Sequence, residues 1–311
     1  MTKPRVVVIA GPTASGKTGL SVELAKELDG EIVSADSMQI YQSMDIATAK
    51  PTEEEKGGIV HHLMDFVSPD ESFSVAQYKQ LAYAAIDDIF TRKKLPIVVG
   101  GTGLYIDALI QNTVFLDYPK NGIRDKLEKR KETEGLDSLY HELKSIDPGT
   151  AEKLHHNDSK RIIRALELYY TTGSTITEQN EQSHKEDAPY DFLLFVLNAH
   201  DRQVLYDRIN LRVDKMLEAG LVQEAKQFFA CETSKTAKQA IGYKELKPYL
   251  DGKIPLQEAV DKLKMETRRY AKRQLTWFRN KDNVHWLYID EKSDKSLLCR
   301  CLDDINEYSG G

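Results

Sequence analysis

The run Arg5-Val6-Val7-Val8-Ile9-Ala10 and the octet after it, Gly11-Pro12-Thr13-Ala14-Ser15-Gly16-Lys17-Thr18, decide the fold. The octet fits G-x-x-x-x-G-K-[ST], the phosphate-cradling P-loop. Its setting fits too: a β-branched run precedes it, and Leu20, Leu24 and Leu28 follow at helical spacing. The loop's backbone N–H groups and the N-terminus of the helix behind it make an anion-binding concavity. Lys17 adds a point charge, and the Thr18 hydroxyl stands where a phosphate-bound magnesium would sit. An ordinary glycine-rich turn would need neither the strand before nor the helix after. The octet is therefore expected to hold a di- or triphosphate.

Beyond the octet, residues 31–35 and 96–99 and then Asp191–Asn198 also look like buried strands, and residues 19–28 and 74–90 have helical spacing. Strands alternating with helices predict an α/β fold, a parallel sheet covered by helices on both faces. Ligands of such sheets lie beyond the carboxyl ends of the strands, so the P-loop, Asp36 and Thr102 should converge on one crevice. Residues 116–188 are polar and helical, with helices expected at 121–134, 135–145 and 159–170 and a polar, mobile tract at 179–187. They read as a helical insertion. Residues 1–115 are then the first part of the core, and 189–311 complete it and add basic C-terminal helices.

The 311 residues are 30% charged and 41% hydrophobic, enough to bury a large core. No stretch reaches the roughly 18 apolar residues of a membrane span, and no signal peptide is visible. The three cysteines lack metal-binding spacing and read as free thiols of a cytoplasmic protein. The net charge of −6 hides an asymmetry: residues 235–281 carry +8, leaving −14 for the rest. Such a stretch is either a site for a polyanion or a solvated helical surface.

Asp36, at a strand end, can hold magnesium, act as a general base or cap the next segment. The pair His61-His62 lacks an obvious third ligand, so packing or substrate contact is preferred to zinc. Gly100-Gly101-Thr102-Gly103 is either a loop that lets backbone approach a ligand or a simple tight turn. Arg208 and Arg212 share a helix face, where one could neutralise a leaving diphosphate or both could be surface residues. The third strand ends without the acid that ATP hydrolysis usually places there, which weakens an ATPase reading. A nucleotide or small-molecule kinase, or an RNA-binding module with a P-loop switch, stays open on these residues alone.

Several further blocks occur in one order along the chain. They are the Asp36 segment, Asp45-Ile46-Ala47-Thr48-Ala49-Lys50-Pro51, His61-His62-Leu63-Met64-Asp65 and Gly100–Tyr105 (100–105), then Lys160-Arg161-Ile162-Ile163-Arg164, Gln239-Ala240-Ile241-Gly242-Tyr243 and Ala271-Lys272-Arg273-Gln274-Leu275-Thr276-Trp277. Together with the P-loop they closely resemble the bacterial tRNA dimethylallyltransferases, over about residues 4–290. Ala47 is a departure, since the family usually has Gly there. The cysteine spacing gives no reason to expect the C-terminal zinc finger of the eukaryotic relatives.

The resemblance implies a P-loop kinase-like core that moves a dimethylallyl group from its diphosphate to the exocyclic amine of adenosine 37, just 3′ of the tRNA anticodon. It further implies that the octet binds the diphosphate, with magnesium at Thr18. Asp36 would be the general base, Thr102 would position the amine, and Arg212 would steady the departing charge. Asp36, Ser37, Met38, Gln39 and Thr102 would meet the flipped base and its neighbours. Arg124, Lys160, Arg161, Ile162, Ile163, Arg164, Lys272 and Arg273 would hold the anticodon stem-loop. A monomer acting in the cytoplasm, away from membranes, is expected.

Overall fold

The computed structural model describes residues 3–116, 121–183, 186–291 and 296–307. Six strands form one sheet: β1 (Arg5–Ala10), β2 (Gly30–Ser34), β3 (His61–His62), β4 (Leu95–Gly100), β5 (Asp191–Asn198) and β6 (Val284–Tyr288). They pair in the order β3-β2-β4-β1-β5-β6, and every pairing is parallel. Val6, Val7, Val8 and Ile9 of β1 are all buried, as continuous β-branched runs in a sheet covered on both faces must be. Val7, Ile9, Ile32, Ile97, Phe195 and Leu197 share a core with Leu20 and Leu24 of the Lys17–Glu27 helix and Ile305 of the Leu297–Glu307 helix. The Val75–Thr91 helix packs on β2 and β4. Ser74 caps it through a reciprocal box with Gln77, and Tyr78, Ala82, Ile86 and Ile89 form its buried stripe.

The β3 and β6 strands were not legible as strands. β3 is two histidines long, and Val284-His285-Trp286-Leu287-Tyr288 shows no clean alternation. His61 and His62 lie at the sheet edge. His62 Nε2 is 2.7 Å from the buried Glu31 carboxylate, which Arg92 also meets at 2.6 Å, and His61 Nδ1 is 2.9 Å from the Ile59 carbonyl, so both rings serve packing. All three cysteines are free.

By contacts the chain divides into two units, Ile110–Ala188 and the remainder. Among its described residues the first holds five helices, Ile123–Glu134, Leu136–Ile146, Pro148–Lys153, Ser159–Thr172 and Ile176–Ser183, around Leu127, Leu139, Leu143, Ile162, Ile163 and Leu166. By contacts this unit begins at Ile110, where the sequence suggests 116, and Val114 is tied to it. Val114 donates its N–H to Ser183 Oγ (2.8 Å), and its carbonyl accepts from Gln179 Nε2 (2.7 Å). The same bonds correct the expectation of a mobile tract at 179–187: residues 179–183 are helical and anchored. Residues 184 and 185 lie outside the described residues.

Candidate active site

The P-loop joins β1 to the Lys17–Glu27 helix. Gly16 turns the chain at φ 92°, a left-handed conformation natural to glycine, and Ala14 adopts it too at 64°. Lys17 Nζ donates to the carbonyls of Gly11 (3.0 Å) and Pro12 (2.7 Å), so the ammonium lies folded over the loop. Burial pulls Lys17 down to about 7. The neighbouring Arg212 acts in the same sense, and Asp36 acts against both.

Arg212 reaches the loop from the Arg202–Glu218 helix. One nitrogen lies 3.3 Å from Thr13 Oγ1 and another 3.4 Å from the Ala49 carbonyl. Burial lowers the Arg212 guanidinium, and Asp36 and Glu55 favour its charged form. Arg208, one turn earlier, comes within 3.9 Å of where a Cβ on Gly16 would stand. Arg212 therefore belongs to the phosphate loop, whereas Arg208 is exposed beside it, so the surface reading falls for Arg212 alone.

Asp36 stands just past the end of β2. Its Oδ1 accepts the N–H groups of Met38 (2.8 Å) and Gln39 (3.3 Å), which fixes the carboxylate in a turn. Next to it, Ser37 donates its N–H to Thr102 Oγ1 at 3.0 Å, and Thr102 donates its own N–H to the Ala35 carbonyl at 3.2 Å. The ends of β2 and β4 are thus stitched into one surface, and the Asp36 charge acts on Lys17 and Arg212 together. The side chains of Met38 and Gln39 are partly buried. Met38 packs on a core cluster, and Gln39 Nε2 donates to the carbonyls of Thr48 and Ala49, both at 3.1 Å.

The segment 45–50 closes the same side. One carboxylate, Glu224, accepts the N–H groups of Asp45 (2.9 Å), Ile46 (2.7 Å) and Ala47 (2.9 Å), and the Tyr243 hydroxyl at 2.8 Å. Ala47 has no positive φ, so alanine suits it. Its methyl packs 3.1 Å from where a Cβ on Gly242 would stand.

Two further side chains are built into the site. Gln274 accepts the Thr13 N–H (3.0 Å) and donates to the Gly101 carbonyl (2.9 Å). Tyr270, a turn earlier, lies beside Thr102 and Gln274, and burial and then Asp36 push its phenol up. The sequence carried a signal for the first: Gln274 falls on the stripe of Ala271, Leu275 and Phe278, where a polar residue needs a partner.

The expected RNA-contacting residues separate into two sets. Lys272 and Arg273 are exposed on the Leu256–Arg279 helix, with Arg273 over the Tyr270 ring at 5.7 Å. Arg124, Lys160, Arg161 and Arg164 belong to the Ile110–Ala188 unit, where Arg161 keeps 65% of its side chain exposed and Arg164 52%. Ile162 and Ile163 are wholly buried in that unit's core. They anchor the helix, and the contact surface expected over 160–164 reduces to its three cations.

Residues 39–281 match the family model described as IPP transferase. The tRNA dimethylallyltransferase of Acetivibrio thermocellus is 52% identical over 94% of this chain and 95% of its own length. That of Caldanaerobacter subterraneus subsp. tengcongensis is 50% identical over 99% and 98%. Among solved structures, the tRNA isopentenylpyrophosphate transferase of Bacillus halodurans is 45% identical, covers 99% of this chain and 96% of that one, and superposes with a TM-score of 0.72. A eukaryotic dimethylallyltransferase acting on tRNA is 33% identical over 99% and 80%, with a TM-score of 0.82. The α/β sheet, the P-loop and the full-length match agree: this chain belongs to the IPP transferase family, that of the bacterial tRNA dimethylallyltransferases.

Proposed function

We propose that this enzyme alkylates the exocyclic amine of the adenosine just 3′ of the anticodon, taking the dimethylallyl group from dimethylallyl diphosphate and releasing diphosphate. The observation that carries the reading is the sharing of one site by a P-loop lysine, an arginine from a remote helix and a strand-end carboxylate, Asp36. The two cations and the loop amides grip the diphosphate, and they suit the charge that grows on it as the C–O bond breaks. The adenine nitrogen attacks the allylic carbon, and its proton goes to Asp36. An amine conjugated to a purine ring is a weak nucleophile, so a base within hydrogen-bond reach matters. Thr102 orients that amine, and its hydroxyl is itself oriented by the Ser37 N–H. The target base leaves its stack to enter, at a cost of a few kcal/mol that a single-stranded loop reduces.

Magnesium fits the hard oxygen that the chain supplies, the Thr18 hydroxyl in the first helical turn, and would take its other ligands from a bound diphosphate and water. Held by Thr18, it would neutralise phosphate charge. Lys160, Arg161, Arg164, Arg124, Lys272 and Arg273 supply phosphate contacts to the anticodon stem-loop, which makes binding salt-dependent. No helix is long and apolar enough to cross a membrane among the described residues. The acceptor RNA puts the reaction in the cytoplasm, and one chain carries the whole site as a monomer.

The test is incubation of anticodon stem-loop RNA with either labelled dimethylallyl diphosphate or γ-labelled ATP. Label on the RNA from the first is the expected result. Label passed from ATP to a small molecule would make the protein a kinase, and RNA binding without transfer would make it a module.

A further inference from the structure

We infer that Gln274 is a positioning residue: its amide ties the P-loop to the loop carrying Thr102 and so sets the spacing between the leaving diphosphate and the acceptor amine. The role rests on the proposed dimethylallyl transfer. Gln274 lies on the core side of the Leu256–Arg279 helix, 6% exposed. Its Oε1 faces the Thr13 N–H at 3.0 Å, and its Nε2 faces the Gly101 carbonyl at 2.9 Å. The two partners dictate the amide's orientation, because a backbone N–H requires an acceptor and a carbonyl requires a donor. Each partner leads to a reacting group. Thr13 also accepts from Arg212 at 3.3 Å, and Gly101 is followed by Thr102, whose Oγ1 receives the Ser37 N–H at 3.0 Å.

The fit leaves no slack, for a Cβ on Gly101 would stand 2.1 Å from Gln274 Nε2. Glycine at 101 thus makes room for this amide. Both amide ends are spent on backbone inside the protein, so Gln274 is not an RNA contact. A nonpolar side chain here would leave Thr13 N–H and Gly101 C=O unpaired, and the two loops would settle at another distance. Misplacement of about 1 Å between reacting groups can slow a reaction about 100-fold without weakening the binding of either.

Gln274→Glu tests this. A carboxylate keeps the size and the acceptor for Thr13, but turns an acceptor toward the Gly101 carbonyl; once protonated, it regains a donor there. Single-turnover transfer from dimethylallyl diphosphate to the anticodon stem-loop is measured for wild type, Gln274→Glu and Gln274→Leu, with melting temperatures alongside. At pH 8 both variants should be about 10- to 100-fold slower, with KM for each substrate within about threefold of wild type. The Gln274→Glu to wild-type ratio should climb as pH falls, and the Gln274→Leu ratio should stay flat. Rates near wild type, a loss carried by KM for RNA, or a Gln274→Glu ratio independent of pH would overturn the role. If Gln274→Glu does not fold, Gly101→Ala, whose Cβ pushes on the amide, must give the same kcat-specific loss or the role falls. A wild-type enzyme that transfers no label would overturn the functional reading itself, and this role with it.

Discussion

The polar side chains around the P-loop and the arginines on the surface of the Ile110–Ala188 unit do opposite work. In the α/β unit the former turn inward and grip backbone: Lys17 holds the Gly11 and Pro12 carbonyls, Asp36 the Met38 and Gln39 amides, Gln274 Thr13 and Gly101, and Glu224 three successive amides. In the Ile110–Ala188 unit Asp147, Gln179 and Ser183 grip backbone too, but the surface arginines turn outward and pair with carboxylates. Arg124 and Arg164 share Glu167, Arg130 lies between Glu134 and Glu142, and Arg161 meets Asp158. The first pattern fixes distances, as bond-making requires. The second leaves cations that can exchange a weak surface partner, worth about 0–1 kcal/mol, for a phosphate. Chemistry and RNA holding are thus separable tasks.

The sharpest way to break that division is to remove the two cations of the phosphate site. Lys17→Met with Arg212→Met should cut kcat/KM for dimethylallyl diphosphate by more than about 1,000-fold while leaving stem-loop affinity within about threefold. A parallel loss of RNA affinity in a filter-binding assay would merge the two tasks. Next in size is Leu166→Ala. It empties a fully buried site in the helical unit's own core and should cost about 2–5 kcal/mol. If the unit is a separate folding element, faster hydrogen exchange will be confined to residues 110–188. Exchange that also rises in β1 or β4 would show one cooperative body.

Smaller again is Arg161→Ala with Arg164→Ala. If these two cations hold RNA phosphates as proposed, RNA binding should weaken about 10- to 30-fold and the salt slope should flatten by about 2, with saturated turnover unchanged. An unchanged slope removes this face from the interface.

The smallest effect is a proton. Burial first, with Arg212 beside it, holds Lys17 near 7 against its ordinary 10.5. Between those values the unfolded chain carries one more proton than the folded one, so Lys17 makes stability rise with pH across that window. Diphosphate in the loop restores the charge, so donor binding at pH 8 should take up a fraction of one proton. Calorimetry in two buffers of different ionisation enthalpy measures it, and Lys17→Met should abolish it.

How much of this was legible beforehand follows the same division. The P-loop is a contiguous octet, and β1 and β5 are uninterrupted apolar runs, so their bounds are plain in the sequence. Strand ends and helix spacing made Asp36, Thr102 and Arg212 candidates, and the family resemblance gave them their expected roles. Gln274 stands within a motif block yet had no readable role, because its partners lie 261 and 173 residues away. Glu224 and the 45–47 amides are separated in the same way, by up to 179 residues. Ile162 and Ile163 were read with their charged neighbours, although the helical period turns them to the core. Motifs record which residues act in concert, and periodicity records which of them face solvent.

The central claim is that Asp36 receives the amine proton beside a P-loop that holds the leaving diphosphate. Asp36→Asn tests it most directly, because the amide keeps an acceptor for the Met38 and Gln39 N–H groups and loses the basicity. Single-turnover transfer of the dimethylallyl group, with both substrates saturating, should fall by about 100- to 10,000-fold while both dissociation constants hold. A rate within about threefold of wild type, or a loss matched by weaker RNA binding, would contradict the account.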